Sequence, residues 1–184
     1  GYLGNRQATD VLVDGLSKLE YRGYDSAGVA VNNGKNELEI RKFKGRLAIL
    51  AEDLEKSPIL GGLGIGHTRW ATHGEPSDVN SHPHFNKEKT IAVVHNGIIE
   101  NYLELKAELQ AEGYEFISQT DTEVVAHLVD KYYEGNLLDA VYKATERLRG
   151  AYALGVICKD NNNELVAVRK DSPLVVGLGE GENF

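Results

Sequence analysis

The 184-residue chain has no methionine, one cysteine, four prolines and one tryptophan. A single cysteine, Cys158, excludes an internal disulfide and fits a reducing compartment, here read as the cytoplasm. No apolar run reaches the length of a membrane span. Residues Gly1 to Arg6 lack the basic start and long apolar stretch of a secretory signal. Positive charge is in deficit, with 20 Lys and Arg against 28 Asp and Glu and a formal charge of -8. That balance argues against a nucleic-acid binder, which needs a positive face for phosphates. The missing methionine carries an expectation of its own, that translation did not begin at Gly1. What is present is globular: 41% apolar and 26% charged residues. The length suits one ordinary domain, or at most two small ones, with a core that needs no covalent staples.

Helix and strand signals run from end to end with no Pro/Ser linker, internal repeat or low-complexity block. Val11, Leu12, Leu16 and Leu19 recur at helical spacing from Ala8, and Leu47, Leu50, Ala51 and Leu54 form a second helical face. The polar loop Tyr21 to Ser26 leads into a short buried strand, Ala27 to Val31. An Asn32-Asn33-Gly34 turn joins this to a strand from Leu38 to Phe43. Gly64 to Trp70 and Thr90 to Val94 read as strands, each ending in a polar, Gly-containing loop. Gly61 to Gly66 lacks the Lys-Ser/Thr ending of a phosphate loop and is read as a flexible lead into its strand. A helix within Asn101 to Glu112 is ended by Gly113. Another starts at Thr120-Asp121-Thr122-Glu123, where Thr120 and Glu123 fit a capping box. A third carries Leu137, Val141, Ala144 and Leu148, with Gly150 placed to stop it. Tyr152 to Cys158, Glu164 to Val168 and Leu174 to Val176 read as closing strands. Hairpins and a helix pair in mixed order favour an α+β layered fold over a strictly alternating parallel α/β fold.

Three polar regions can carry chemistry. The densest is Gly66-His67-Thr68-Arg69-Trp70-Ala71-Thr72-His73-Gly74-Glu75-Pro76, at the end of a strand, where binding groups usually sit. Arg69 suits a carboxylate or phosphate through its two-pronged donor face, and Trp70 suits a lid; the plainer alternative is a polar turn with one half-buried Trp. The second is His95-Asn96-Gly97, directly after an apolar strand. An Asn amide and the next backbone N–H can point at one oxygen, as in an oxyanion hole, but Asn-Gly is also a common tight turn. The third is Asp121, either a helix cap or the binder of an amine. His67, His73, His82, His84 and His95 raise the question of a metal site, yet no metal-binding spacing links them and no cysteine partners them. Cys158, at the end of an apolar strand, reads as core filling.

Taken together, Tyr21-Arg22-Gly23-Tyr24-Asp25-Ser26-Ala27-Gly28, the segment His67 to Pro76 and His95-Asn96-Gly97-Ile98-Ile99-Glu100-Asn101 resemble the glutaminase domain of the glutamine–fructose-6-phosphate aminotransferase family. Gln119-Thr120-Asp121-Thr122-Glu123, Leu148-Arg149-Gly150-Ala151-Tyr152 and the ending Ser172 to Gly179 through Asn183-Phe184 agree in order and spacing. The resemblance covers essentially residues 1–184 as one class II glutamine amidotransferase domain. It implies the N-terminal nucleophile hydrolase fold, a four-layer α/β/β/α sandwich with two antiparallel sheets, and needs neither cofactor nor metal. It also implies glutamine hydrolysis to glutamate and ammonia. In the family an N-terminal Cys attacks the side-chain amide, its own α-amine serving as base. A thioester forms, ammonia leaves, and water releases glutamate. The ammonia passes to sugar-isomerase domains of the full-length enzyme, a homo-oligomer, which make glucosamine 6-phosphate from fructose 6-phosphate. By position, Arg69 matches the arginine that holds the α-carboxylate of glutamine, with Thr72 and His73 supporting it. Asp121 matches the acid on the α-ammonium, and Asn96 and Gly97 the oxyanion hole. Trp70 matches the closing tryptophan, and Arg22 the arginine near the nucleophile.

Two departures shape the expectation. Gly1-Tyr2-Leu3-Gly4 aligns just inside the family's start, so the nucleophilic Cys is expected a few residues upstream; Cys158, with no free α-amine, cannot replace it. The isomerase half is likewise absent from the 184 residues. Without the Cys, this chain is expected to lack glutaminase activity while keeping its recognition groups for glutamine or glutamate. A related family, the amidophosphoribosyltransferases, carries a loop closer to HRGQESAG, whereas Tyr24-Asp25 follows the hexosamine pattern. A third reading is a degenerate domain that binds glutamine or a partner without catalysis; the intact set Arg69, Asn96 and Asp121 argues against it.

Overall fold

The computed structural model describes residues 1–70 and 74–184. In chain order its elements are β1 (Tyr2–Gly4), α1 (Ala8–Ser17), a 3-10 turn (Glu20–Arg22), β2 (Ser26–Asn32), β3 (Leu38–Lys44), α2 (Leu47–Lys56), β4 (Leu63–Arg69), β5 (His84–Phe85) and β6 (Ile91–Gly97). Then come α3 (Tyr102–Ala111), α4 (Glu123–Tyr132), α5 (Leu137–Arg147), β7 (Tyr152–Cys158), β8 (Asn161–Lys170) and β9 (Glu182–Asn183). Two sheets form, ordered β3-β2-β4-β1-β9 and β5-β6-β7-β8, and every strand pairing is antiparallel.

Strand alternation sends successive side chains to opposite faces, and both central strands are apolar on both. Ala27, Val29 and Val31 of β2 pack with Leu12 and Leu16 of α1 and Leu47, Leu50 and Leu54 of α2. Ile91 and Val93 of β6 pack instead with Leu105, Leu109, Val124, Leu128 and Val141 of the three later helices. Between the sheets lies a third cluster: Ala30, Leu63, Ile65, Ala92 and Ile157. Helices outside and sheets inside make the α/β/β/α sandwich. Each large aliphatic side chain buried in these layers contributes about 1.5–3 kcal/mol relative to exposure. No described helix is long and apolar enough to cross a membrane.

Several local expectations change. The strand expected from Gly64 forms, starting one residue earlier at Leu63, so the flexible lead ends at Gly62; a Cβ on Gly64 and Gly66 would stand 3.0 Å and 3.1 Å from the Leu12 and Leu16 side chains, so they let α1 sit close to the sheet. His95, Asn96 and Gly97 extend β6 instead of turning after it, paired opposite Leu154, Ala153 and Tyr152. The Thr120–Glu123 capping box does not form. Thr122 holds the cap position without a side-chain bond, and the Glu123 carboxylate accepts the Ile117 and Ser118 N–H groups instead, at 2.9 and 2.7 Å. Gly113 ends α3 as expected, with the Tyr114 N–H on the Leu109 carbonyl and the Gly113 N–H on that of Gln110. Gly150 does not stop α5, which already ends at Arg147 with Leu148 extended; a Cβ on Gly150 would collide with the Ile98 carbonyl, so its role is to let the chain after β6 pass. Leu174–Val176 is not a strand. The C-terminal stretch folds back through mutual Gly177–Phe184 backbone bonds, and β9 pairs with β1.

Candidate active site

The inter-sheet face of β4 reads Leu63, Ile65, His67, Arg69, and that of β6 reads Ala92, Val94, Asn96. Both change from aliphatic to polar toward the same end of the sandwich. Their strand neighbours there are small: Gly28 lies opposite His67, Ser26 opposite Arg69 and Ala153 opposite Asn96. Polar side chains with little beside them leave an open cleft of about 600 Å³. Arg22, Arg69, Trp70, Asn96, Gly97 and Asp121 all line it. Thr72 and His73 lie outside the described residues.

Arg69 is only 5% exposed. Its Nη2 donates to the Gly74 carbonyl at 3.3 Å. Burial lowers its pKa, opposed by the charges of Asp25 and Asp121, and a guanidinium stays cationic under such pressure. Asp121 is buried as well. Its Oδ2 accepts the Ile99 N–H at 2.8 Å, which ties the chain after β6 to the start of α4. Among the described residues its Oδ1 has only a long bond from the Thr122 hydroxyl, 3.4 Å, with His95 Nδ1 at 3.9 Å. Cation and anion thus face one cavity from different layers of the sandwich.

Asn96 and Gly97 supply neutral donors. Ladder bonds at both ends of the β6–β7 pairing, Lys159 N–H to the Thr90 carbonyl and Ile98 N–H to that of Ala151, turn the even-numbered residues toward β7. The Gly97 N–H therefore points to the other edge, where β5 pairs only with Ala92 and Val93. Gly97 has φ 122°, and a Cβ there would collide with the Ala151 carbonyl, so glycine is required on both counts. The Asn96 side chain is exposed to the cleft, its Oδ1 lying 2.7 Å from His67 Nε2.

Trp70 is 59% exposed at the mouth and meets Tyr24 edge-on at 5.4 Å. Arg22 ends the 3-10 turn, and the next residue, Gly23, passes so close to the Arg69 backbone that a Cβ would lie 2.8 Å from its carbonyl carbon. Cys158 is buried at the far end of β7, opposite Ile91, and burial pushes its thiol pKa up.

The floor of the cleft is a histidine cluster. His67 stacks on His82 at 4.3 Å, and His82 meets His84 edge-on at 4.8 Å. His84 Nε2 lies 3.0 Å from Thr120 Oγ1, and His95 Nδ1 2.8 Å from Thr122 Oγ1. Burial lowers all four imidazoles, His67 to about 4, His82 and His84 well below their ordinary value, and His95 against the opposing charge of Asp121. They are neutral near pH 7. Among the described residues no group of three or more His, Cys, Asp or Glu is placed to hold a metal ion. The signal available in sequence was the two-residue spacing of His67 and Arg69, which puts both on one face of a strand.

Residues 67–184 match the family model described as a glutamine amidotransferase domain. Over the whole chain, identity is 67% with the glutamine--fructose-6-phosphate aminotransferase [isomerizing] of Clostridium perfringens and 58% with the protein of that name from Thermus thermophilus. The chain spans 30% of the length of each. Among solved structures, the glutamine phosphoribosylpyrophosphate amidotransferase of B. subtilis, complexed with ADP and GMP, matches 99% of this chain and 40% of its own, with a TM-score of 0.85 and 28% identity. Fold, sequence match and cleft converge: the chain belongs to the glutamine amidotransferase domain family.

Proposed function

We propose that the cleft binds glutamine and hydrolyses its side-chain amide, and that the chain is the glutaminase part of a longer cytoplasmic protein that uses the ammonia to make glucosamine 6-phosphate from fructose 6-phosphate. The observation that carries this reading is one cavity lined by a buried cation, a buried anion and a neutral donor pair. Arg69 takes the α-carboxylate and Asp121 the α-ammonium, each charge-assisted bond being worth roughly 1.5–3 kcal/mol. Asn96 Nδ2 and the Gly97 N–H hold the negative oxygen that develops when the amide carbon becomes tetrahedral. Trp70 closes the mouth, and Arg22 stands beside the nucleophile, with Thr72 and His73 supporting Arg69.

The nucleophile is a cysteine upstream of Gly1. Tyr2 of β1 lies opposite Gly64 of β4, and the strands are antiparallel. A strand continued ahead of Gly1 in that register would run beside Gly66 to Arg69, the cleft-lining part of β4. A terminal cysteine there gives its thiol proton to its own α-amine. The thiolate bonds to the amide carbon, the C–N bond breaks, and ammonia leaves with that proton. Water then cleaves the thioester to glutamate.

The test is ammonia release from glutamine by the full-length protein beside the 184-residue chain. Turnover by the full-length protein and none by the short chain is expected. Turnover by the short chain would remove the upstream nucleophile, and a silent full-length protein would remove the glutaminase reading.

A further inference from the structure

The Asn96 amide has two chemically opposite ends, and only one serves an oxyanion. Its Nδ2 donates; its Oδ1 accepts and would repel a developing negative charge. Rotating the amide by half a turn exchanges them at almost no steric cost. Asn96 sits at an exposed strand end beside Ala153, which is too small to fix the amide. Something outside β6 must select the orientation.

The one described side chain bonded to the Asn96 amide is His67, which reaches across from the other sheet with Nε2 2.7 Å from Oδ1. We infer that His67 is a positioning residue that holds the Asn96 carbonyl oxygen against the floor and so turns the Nδ2 donor into the cleft. The inference rests on the glutaminase reading above and names a group that reading does not use. An amide oxygen can only accept, so Nε2 must carry the ring proton and Nδ1 must be bare. Among the described residues Nδ1 is buried and has no hydrogen-bond partner, which suits the unprotonated nitrogen. The ring plane is fixed from behind by His82, stacked at 4.3 Å and 26°, and His82 is braced edge-on by His84. Gly28 beside His67 leaves space on the strand for the stacked pair. The relay runs from Thr120 through three imidazoles to the amide, and its last bond sets which end of Asn96 meets the substrate. His67 does not touch the reacting atoms; it acts through Asn96.

The experiment is a double-mutant cycle in the full-length protein, reading glutamine hydrolysis. His67→Phe keeps a ring against His82 and removes the donor. It is expected to lower kcat by about ten- to a hundredfold with KM for glutamine little changed, since disorienting an oxyanion donor costs at most what removing it does. In an Asn96→Ala background the same substitution is expected to change kcat by less than about twofold, because the group it orients is gone. His67→Gln puts an amide N–H near the former Nε2 position and is expected to restore kcat to within about threefold of wild type, whereas His67→Asn, one methylene shorter, is expected not to. Thermal melting of each variant identifies any that fail to fold, and the Gln/Asn pair carries the test if Phe does. Losses from His67→Phe and Asn96→Ala that multiply, or His67→Gln no better than His67→Asn, would overturn the inference while leaving the glutaminase reading intact. An unsubstituted full-length protein that releases no ammonia would overturn both.

Discussion

The two ends of the inter-sheet layer are built from the same strands and have opposite characters. At one end Leu63 and Ile65 of β4 meet Ala92 and Ile157 in a dry aliphatic cluster. Two and four residues further along β4, His67 and Arg69 face Asn96 and open space. Pairing and layer are shared; only the residues on the facing positions change. At the second end His67 Nδ1 and His82 Nδ1 are buried with no hydrogen-bond partner among the described residues, and a buried polar group left unpaired costs roughly 1–3 kcal/mol. The apolar end supplies the stability that offsets this. The sandwich thus separates holding the sheets together from recognising a ligand along the length of single strands.

Substitutions at the two ends should separate the same way. The largest stability effect is expected from Ile65→Ala at the dry end, about 2–5 kcal/mol in urea unfolding, with KM for glutamine near the wild-type value. A cavity there that abolished glutamine turnover in the still-folded protein would break the division. At the polar end Arg69→Ala should lower kcat/KM for glutamine by about ten- to a hundredfold, or about 1.4–2.7 kcal/mol, with little change in melting midpoint. Unchanged kinetics would take Arg69 out of the site. Asp121→Asn keeps an oxygen for the Ile99 N–H and loses only the charge; KM should rise about tenfold. Loss of folding without loss of affinity would return Asp121 to a purely structural role.

The smallest effect is in pH. The four buried imidazoles have lowered pKa values, so the unfolded chain takes up protons before the folded one does. Their contribution is whole above about pH 6.5 and falls with pH, in the case of His67 toward about 4. Glu123 follows at lower pH. Burial works to raise it, but the nearby His127 ring, 3.6 Å away, and the bonds from the Ser118 hydroxyl and the Ile117 and Ser118 N–H groups prevail and bring it to about 2. Its contribution is present above its ordinary value of 4.5 and is lost as pH falls toward about 2. The melting midpoint should therefore decline from about pH 6.5 downward, by roughly 2–4 °C for each kcal/mol lost. A flat profile between about pH 7 and pH 4.5 would contradict the neutral, buried assignment of the histidines.

Periodicity made the apolar layers legible. Leu12 and Leu16, and Leu47 to Leu54, each announced a helix face, and β2, β4, β6 and β7 were readable from their runs. The polar end was legible through motifs matched to a family, and Arg22, Arg69, Trp70, Asn96, Gly97 and Asp121 do line one cleft. Local pattern failed where tertiary contacts decide. Glu123 fits a capping box in sequence, but the chain ahead of it bends back and presents two backbone N–H groups instead. Asn96-Gly97 taken alone reads first as a turn because the dipeptide cannot report that β7 continues beside it. β1, β5 and β9 are two or three residues long, too short to show a period. The His67–Asn96 bond joins different sheets across 29 positions, which no local spacing encodes.

Asn96 is the residue through which the polar end would act on the reacting amide. In the full-length protein, kcat for ammonia release from glutamine and the melting midpoint should be measured together for wild type and Asn96→Ala. The expected result is a fall in kcat on the order of a hundredfold or more, with the midpoint and KM close to wild type. A retained kcat with a lowered midpoint would mean that Asn96 only shapes the strand end, and would contradict the claim that the polar end of the sandwich stabilises an oxyanion.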